Sequence, residues 1–288
     1  MRTLSESAYE NARSFLKEHA RPLERACFEM SFEDGDHLDV ANALMSYQNP
    51  DGGFGNALEP DCRLRASSAL ATSFAFTILK SLHANIAFPL ARRALGWLSD
   101  NYDREARAWP IVPPEVNEAP RAPWWQYSEE TPKASRANPS PELVGALINF
   151  DHAAPSPILA DSLDSVLDLL DEKPELEMHE LMSYLRLHAS YLSPSLRDRM
   201  TDRLAHEAQR LVVTEPTEWS GYGLRPLGVV DSPNSFLYPV FEESVQAELD
   251  YLIAAQGEDG SWSPTWSWFG NYDEVWPVAE REWKGLLT

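Results

Sequence analysis

Two stretches far apart in the chain, QNPDGGF at 48–54 and QGEDGSW at 256–262, carry the same residue types in the same slots. In both, a glutamine precedes Asp-Gly by three residues, and a large aromatic follows after one small residue. Asp-Gly favours a tight turn because glycine adopts positive φ without steric cost. Each stretch follows a helical pattern, so its glutamine amide would lie where backbone groups at a helix end lack partners. The repeat predicts a rigid joint between helices, and DREARAW at 103–109 is a degenerate third copy without the glutamine and the glycine.

The segments around these joints have the period of α-helices. In 158–170, leucines and a valine spaced by three or four residues form one face, and aspartates fill the other. The same period predicts helices at 6–19, 37–47, 67–83, 88–100, 140–152, 178–192, 194–212 and 239–255. Segment 271–288 resembles the start of a further helix that docks on the second joint through Trp283, Lys284 and Gly285. Since no strand-like alternation of any length occurs, the sequence predicts an all-α protein with one domain over 1–288.

Composition excludes several classes of partner. The formal net charge is −21, from 45 Asp and Glu against 24 Lys and Arg, and such a surface repels nucleic acid and anionic membranes. No window approaches the 18 or so consecutive apolar residues of a membrane span. The polar N-terminal segment lacks the apolar stretch of a secretory signal, so we expect a cytoplasmic protein with its two cysteines reduced.

Long loops between the helices hold most of the tryptophans. Segments 101–139, 214–239 and 257–277 are rich in proline, tryptophan and tyrosine. Loops of this length are usually either functional or disordered. Tryptophan argues against disorder because its large apolar surface would stay in water. We therefore expect these loops to be folded.

The motif Q-x-x-D-G-[GS]-[FW] resembles the joint of the terpenoid cyclase and protein prenyltransferase superfamily. More specifically, QNPDGGFGNALEPD followed by RASSALATSFAFTIL is similar to small bacterial proteins described as prenyltransferase-like or squalene-cyclase-like. The resemblance implies an (α/α) toroid of about six helical hairpins around a central cavity. It also implies an isoprenoid-handling enzyme, a terpenoid cyclase or a prenyltransferase-like protein.

The chain departs from this family in two places. It lacks the Asp-x-Asp-Asp acid of class II cyclases, and Asp61-Cys62 is its only Asp-Cys pair, which is a poor start for a prenyltransferase zinc site. No histidine pair has ligand spacing, and His188 is most simply a core residue. We expect no resident cofactor or metal, with Mg²⁺ entering only if the substrate is a diphosphate.

The loop after the first joint is the best candidate for catalytic residues. In a helical toroid this loop would lie at the cavity mouth, and it contains Glu59, Asp61, Arg63 and Arg65 within seven residues. A carboxylic acid whose pKa is raised by an apolar lining could donate a proton, so Glu59 and Asp61 are the predicted catalytic residues. Arg63 and Arg65 are predicted to bind substrate. The alternative is that Asp61 and Arg63 form an ion pair that only shapes the loop.

Aromatic residues of the long loops complete the predicted site. Their faces would line the cavity and stabilise carbocation character by cation–π attraction. Tyr222 and Arg225 would lie over the cavity mouth or simply cross the molecule. The predicted substrate-binding set beyond the first loop is Trp109, Trp124, Tyr222, Arg225, Trp262, Trp266 and Trp268.

Two other functions fit the same sequence. Helical barrels also occur in glycoside hydrolases and lyases, where sugars stack on aromatics and a carboxylate pair does the chemistry, with Asp231 or Asp273 as the partner here. A non-catalytic scaffold, with the aromatics as filling, is the third interpretation. A deep apolar cavity would indicate an isoprenoid, and an open polar one a sugar. In either enzyme the partner is a small molecule.

Overall fold

Eleven α-helices make up most of the described residues, which are 2–129, 135–150 and 156–288 of a computed structural model of the protein. The helices are α1 (Glu6–His19), α2 (Pro22–Phe32), α3 (His37–Met45), α4 (Ala69–Leu79), α5 (Ala84–Asp100), α6 (Ser140–Phe150), α7 (Leu159–Glu172), α8 (Met178–His188), α9 (Pro194–Leu211), α10 (Tyr238–Ala254) and α11 (Trp276–Leu287). Within those ranges there is no β-strand, only isolated bridges. The all-α class is confirmed. No helix found there has both the length and the apolar character needed to cross a bilayer.

The sequence missed α2 as a separate helix. The apolar period fails there because Glu24 on the buried face pairs with Arg21 just before the helix. Helix α5 starts one turn earlier than predicted, since Pro89 lies inside the helix and not at its beginning. The predicted end of α6 at 151–152 lies outside the described residues. Trp276, which we placed in a loop, is the first residue of α11.

The first joint binds α3 to the next long helix, α5. Gln48 Nε2 donates to the carbonyl oxygens of Gly52 and of Leu90 in α5, both at 2.9 Å. The turn glycine, Gly52, has φ of +98°, and a Cβ on it would lie 2.4 Å from the carbonyl oxygen of Arg93. Glycine is therefore required for its backbone angle and for its closeness to α5. The predicted bonding of the glutamine amide is confirmed.

The second joint repeats this contact on the first helix of the chain. Gln256 Nε2 donates to the carbonyl oxygen of Gly260 at 2.9 Å and to that of Ala8 in α1 at 2.8 Å. Gly260 has φ of +85°, and a Cβ on it would lie 2.4 Å from the carbonyl oxygen of Asn11. The joint after α10 thus binds α1 as the joint after α3 binds α5. Helix α11 in turn packs against α1 and α2.

The degenerate copy at 103–109 also forms a joint. Asp103 Oδ1 accepts from the amides of residues 105 and 106, at 2.9 and 3.0 Å. Arg107, two residues before the aromatic as Gly52 and Gly260 are, has φ of +53°. Its Nε donates to Asp161 Oδ1 of α7 at 2.9 Å. This copy is hard to recognise in the sequence because Arg107 occupies the position where the motif has glycine.

The aromatic residues of two joints are fixed by their indole nitrogens. Trp109 Nε1 donates to the carbonyl oxygen of Leu98 at 2.8 Å, and Trp262 Nε1 donates to that of Leu252 at 2.7 Å. In both cases the acceptor lies in the helix that the joint ends. These two tryptophans close their own helix ends.

Helix α11 docks on the second joint through Lys284, as predicted, whereas Trp283 binds Asp61 and Gly285 packs on Ala20 instead. Lys284 Nζ lies 2.9 Å from Asp259 Oδ2, and the Trp262 amide donates to Thr288 Oγ1 at 3.1 Å. Gly285 faces Ala20, where a Cβ on the glycine would lie 3.2 Å from the alanine Cβ. These contacts place α11 beside the start of α2.

Candidate active site

The loop after the first joint is held in an uncommon backbone shape. Asn56 and Ala57 both have positive φ, 55° and 59°, although neither is glycine. Such residues cost on the order of 1–3 kcal/mol and cluster at functional sites. Arg21, just before α2, donates to the carbonyl oxygens of Ala57 and Leu58 at 3.0 and 3.1 Å. The guanidinium therefore clamps the backbone directly before Glu59.

Asp61 is buried and accepts hydrogen bonds from indole groups of the C-terminal segment. Its Oδ1 accepts from Trp268 Nε1 at 2.7 Å and from Trp283 Nε1 at 2.6 Å. Burial raises the pKa of Asp61, and the indoles of Trp283, Trp268 and Trp266 oppose that rise. The Trp266 indole is directed at this carboxyl without a well-formed hydrogen bond. Asp61 thus ties the loop of the first joint to the segment that follows the second.

Glu59 is the group best suited to carry a proton. It is 6% exposed, and its Oε2 has no hydrogen-bond partner. Burial, followed by the neighbouring charge of Asp61, raises the pKa of Glu59 well above its usual value. The Trp125 indole opposes this rise from nearby, but its Nε1 makes no hydrogen bond of good geometry. Burial and the neighbouring charge of Asp61 therefore favour the protonated form of Glu59.

The arginines around these acids are already paired. Arg21 binds Glu24 through two bonds of 2.9 and 2.7 Å, and Arg63 forms an ion pair with Glu282 of α11. Since Arg63 pairs with Glu282, the alternative in which it pairs with Asp61 is wrong. Arg21 lowers the pKa of Glu59, but burial outweighs this effect.

An aromatic cluster lies against Asp61. The rings of Trp266 and Trp283 meet edge to face at 4.9 Å, and Trp268 stacks on Trp276 at 6.1 Å with 12° between the planes. Edge-to-face and offset contacts are the favoured geometries of aromatic pairs. At its outer side, Tyr222 meets Trp266 at 6.1 Å. We call Trp266, Trp268, Trp276 and Trp283 the tryptophan cluster.

Tyr222 also contacts a histidine that the sequence analysis did not select. Its hydroxyl lies 2.8 Å from His179 Nε2, and His179 Nδ1 lies 3.4 Å from Glu177 Oε2. His179 and Glu177 belong to the start of α8. The contact fixes the loop carrying Tyr222 beside the tryptophan cluster.

The structure brings together only part of the predicted site. Asp61 binds Trp268, faces Trp266 and lies beside Glu59, with Tyr222 at the outer side and Arg63 in the surrounding charge network. Trp124 is 43% exposed beside Phe269, and the Arg65 side chain is exposed. Arg225 pairs with Glu248 of α10 at 3.1 Å. Trp109 and Trp262 serve in the joints described above.

The residues around the two acids that were not predicted as site residues are Arg21, Trp125, Trp276, Glu282 and Trp283. All but Trp276 lie far in sequence from the loop they contact, so no local pattern could have selected them. In 2–129, 135–150 and 156–288, no group of three or more His, Cys, Asp or Glu is arranged to hold a metal ion. Comparison with protein-family models, curated proteins and solved structures finds no match to the chain.

Proposed function

We propose that the protein is an isoprenoid-handling enzyme in which Glu59 donates a proton to a carbon–carbon double bond. The observation that carries this proposal is a buried carboxylic acid with an unpartnered oxygen and a raised pKa, beside Asp61, which binds the tryptophan cluster. Protonating an alkene needs an acid that stays protonated at neutral pH and a water-poor site. The raised pKa of Glu59 supports the first need, and its burial supports the second.

The chemistry balances without a cofactor. The O–H bond of Glu59 breaks while the π electrons of the alkene form a C–H bond, which leaves a carbocation on the neighbouring carbon. Aromatic faces stabilise such a cation by about 0.5–2 kcal/mol each, and the Asp61 carboxylate adds attraction. The Glu59 carboxylate then takes a proton from another carbon, which restores an alkene and the acid, so the overall reaction is an isomerisation or a cyclisation.

The role of Asp61 separates this function from a two-carboxylate hydrolase. A hydrolase needs its second carboxylate free to activate water or attack the sugar. Here Oδ1 of Asp61 is occupied by two indole N–H groups. Asp61 is better suited to fix the tryptophans and supply negative charge than to move a proton.

A glycan-acting enzyme is the second candidate, and one observation favours it. Tyr222, Trp124 and Phe269 are 59%, 43% and 63% exposed beside the tryptophan cluster. Exposed aromatic faces suit sugar rings better than a buried hydrocarbon. If the protein is instead a scaffold, neither ligand class binds and substitutions change stability alone.

We infer further that the helices form a closed (α/α) toroid. Each joint binds the next helix of the same kind: the one at 48–54 binds α5, the one at 103–109 binds α7, and the one at 256–262 binds α1. Helices α2, α4, α6, α8 and α11 would form the inner layer. Segment 212–237 would stand where a sixth inner helix is expected. Spin labels at the exposed positions Ser14 and Arg281 should report one short distance, whereas an open arc would give a long or broad distribution.

The test of function combines binding with isotope incorporation. The thermal midpoint is measured with squalene in detergent, with farnesyl and geranylgeranyl diphosphate with and without Mg²⁺, and with neutral and acidic oligosaccharides. A ligand at 100 times its Kd stabilises by about 2.7 kcal/mol. Ligands that bind are then incubated in D₂O, where protonation by Glu59 places deuterium on carbon.

The matched variants are Glu59→Gln and Glu118→Gln. Since general acid catalysis contributes roughly 10²–10⁴-fold, Glu59→Gln should lose deuterium incorporation by about that factor while keeping ligand binding. Glu118→Gln, at an exposed glutamate, should behave as wild type. Stabilisation by oligosaccharides alone would replace the proposal by the glycan-acting function, and no stabilisation by any ligand would leave the scaffold.

A further inference from the structure

A second cleft lies at the end of α4 opposite the candidate active site. Its volume is ≈ 570 Å³, within the roughly 300–1,000 Å³ of small-molecule sites. The ends of α4 and α8, the start of α9 and residues 228–236 line it. Ser68 caps one end of α4 and Lys80 the other. At 1.5 Å per residue they are about 18 Å apart, and the cleft lining includes neither Glu59, Asp61 nor any residue of the tryptophan cluster.

The side chains that line the cleft carry a net positive charge, whereas the chain as a whole is negative. Lys80, Arg186 and Arg197 line it, with Asp231 as the one acid among the lining residues. The chain as a whole has 45 acidic residues against 24 Lys and Arg. A local excess of one charge inside a concave surface attracts ligands of the opposite charge. The lining therefore selects for an anion.

Only some of the three cationic side chains at the cleft have an acidic partner. Arg197 donates to the carbonyl oxygen of Ser190 at 2.9 Å, and Arg186 pairs with Glu142. Among the residues that the structure describes, neither Lys80 nor Arg197 has an acidic partner within 4.0 Å. Arg197 and Lys80 thus keep charge available for a ligand.

An aromatic wall and hydroxyl groups complete the cleft. His188 packs on Phe236 with ring centroids 4.3 Å apart, and its Nε2 lies 3.0 Å from Thr201 Oγ1. Ser232 and Ser235 accept backbone N–H groups at 3.2 and 3.3 Å, which leaves each hydroxyl hydrogen free to donate to a ligand. These groups can bind both the charged end and the body of a small molecule.

A smaller cavity extends from the same cations. Its volume is ≈ 30 Å³, and it lies between α4, α6 and α8 with Lys80 and Arg186 in its lining. A space of this size has room for about one water molecule. Water there could bridge Arg186 to a ligand in the larger cleft.

We propose that this cleft binds a small organic anion, with a carboxylate or phosphate group between Lys80 and Arg197 and the body of the molecule against Phe236 and Met182. This site is independent of the proposed isoprenoid chemistry. Its ligand is recognised by an anionic group with a short apolar or polar body. The site is open to solvent at its charged end, where Lys80 is exposed.

The test follows the methionine methyl groups by NMR. The chain has six methionines, and Met182 lines the cleft while Met30 does not. Protein labelled with ¹³C at the methionine methyl is titrated with inorganic phosphate and, separately, with citrate at constant ionic strength. The Met182 signal, assigned with Met182→Leu, should shift saturably while Met30 stays in place. Phosphate and citrate distinguish the two kinds of anionic group.

Charge-removing variants decide whether the shift comes from this cleft. Lys80→Gln and Arg197→Gln should each weaken binding at least about fivefold, which corresponds to about 1 kcal/mol. Arg199→Gln is the control, since Arg199 is on the same helix and pairs with Asp171 outside the cleft. The proposal is overturned if neither anion shifts Met182 saturably, or if the Lys80→Gln/Arg197→Gln double variant binds as wild type does.

Discussion

The joints at 48–54 and 256–262 are nearly identical, whereas the loops that follow them have opposite chemistry. Both glutamines bind one carbonyl of their own turn and one of another helix, at 2.8–2.9 Å. After the first joint the chain supplies two buried acids, Glu59 and Asp61. After the second it supplies Trp266 and Trp268. A repeated joint therefore builds the frame twice, and the difference between the loops builds the site where they meet.

The largest effects are expected at the joint glycines. Gly52→Ala and Gly260→Ala each force an alanine into positive φ and place a Cβ 2.4 Å from a carbonyl oxygen. We expect each to lower the free energy of unfolding by about 3 kcal/mol, measured by urea denaturation. Gly96→Ala, where a Cβ meets nothing within 4 Å, is the control. A small loss at one joint and a large loss at the other would break the structural equivalence.

The loops should differ in how stability depends on pH. The pKa of Glu59 is raised in the folded protein, so the neutral acid stabilises the fold fully below its unfolded pKa near 4.5. That contribution is lost as pH rises through the folded pKa. Glu59→Gln removes it, so the stability of wild type should fall relative to this variant as pH rises above about 4.5. If the stabilities of wild type and Glu59→Gln change with pH in the same way, the pKa of Glu59 is not raised in the folded protein.

The contact between the two loops should be measurable as a coupling energy. Asp61→Asn and Trp268→Phe each weaken the same 2.7 Å hydrogen bond. Because hydrogen bonds to charged groups contribute about 1.5–3 kcal/mol, we expect the double-mutant cycle to give a coupling of about 1–2 kcal/mol. Asp273→Asn, at an exposed aspartate, should show no coupling to Trp268→Phe. Additive effects of the first pair would mean that the two loops are not joined through Asp61.

The smallest predicted effect comes from a difference between Asp259 and Asp51, the aspartates of the two joints. Hydrogen bonds from Lys284 and Ser261 lower the pKa of Asp259 to about 2, whereas Asp51 accepts from Ser67 and a backbone amide. A depressed pKa stabilises the fold above the unfolded value near 3.8 and ceases to do so as pH falls through about 2. Asp259 is 45% exposed, so screening limits the effect to below about 1 kcal/mol. Lys284→Met should slightly reduce the loss of stability as pH falls from 3.8 to about 2. A wild-type stability that does not change with pH over this range would contradict the prediction.

Local patterns predicted much of the frame. The period of apolar residues located most helices, and the motif located the turn glycines and the glutamine amides. The motif also indicated a structural role for Trp262, since this residue occupies the aromatic position of a joint. Trp109 occupies that position in the degenerate copy. Both were predicted to line a cavity, but their indoles close helix ends.

Contacts between distant segments could not be predicted in this way. Asp61 and Trp283 are 222 residues apart, and Arg63 and Glu282 are 219 apart. No period or spacing within one segment records which loop will face which. The burial that raises the pKa of Glu59 depends on these contacts as well.

The sequence by itself determined the helices, the joints and the placement of two acids beside a turn, because each depends on interactions between residues close in the chain. Only the tertiary structure decided that Asp61 binds the tryptophans of the C-terminal segment and that Arg63 pairs with Glu282. It also decided that Lys80, Arg186 and Arg197 share a cleft. These features depend on which helices become neighbours. Burial and charge pairing between distant segments, and not local propensity, set the chemistry of both sites.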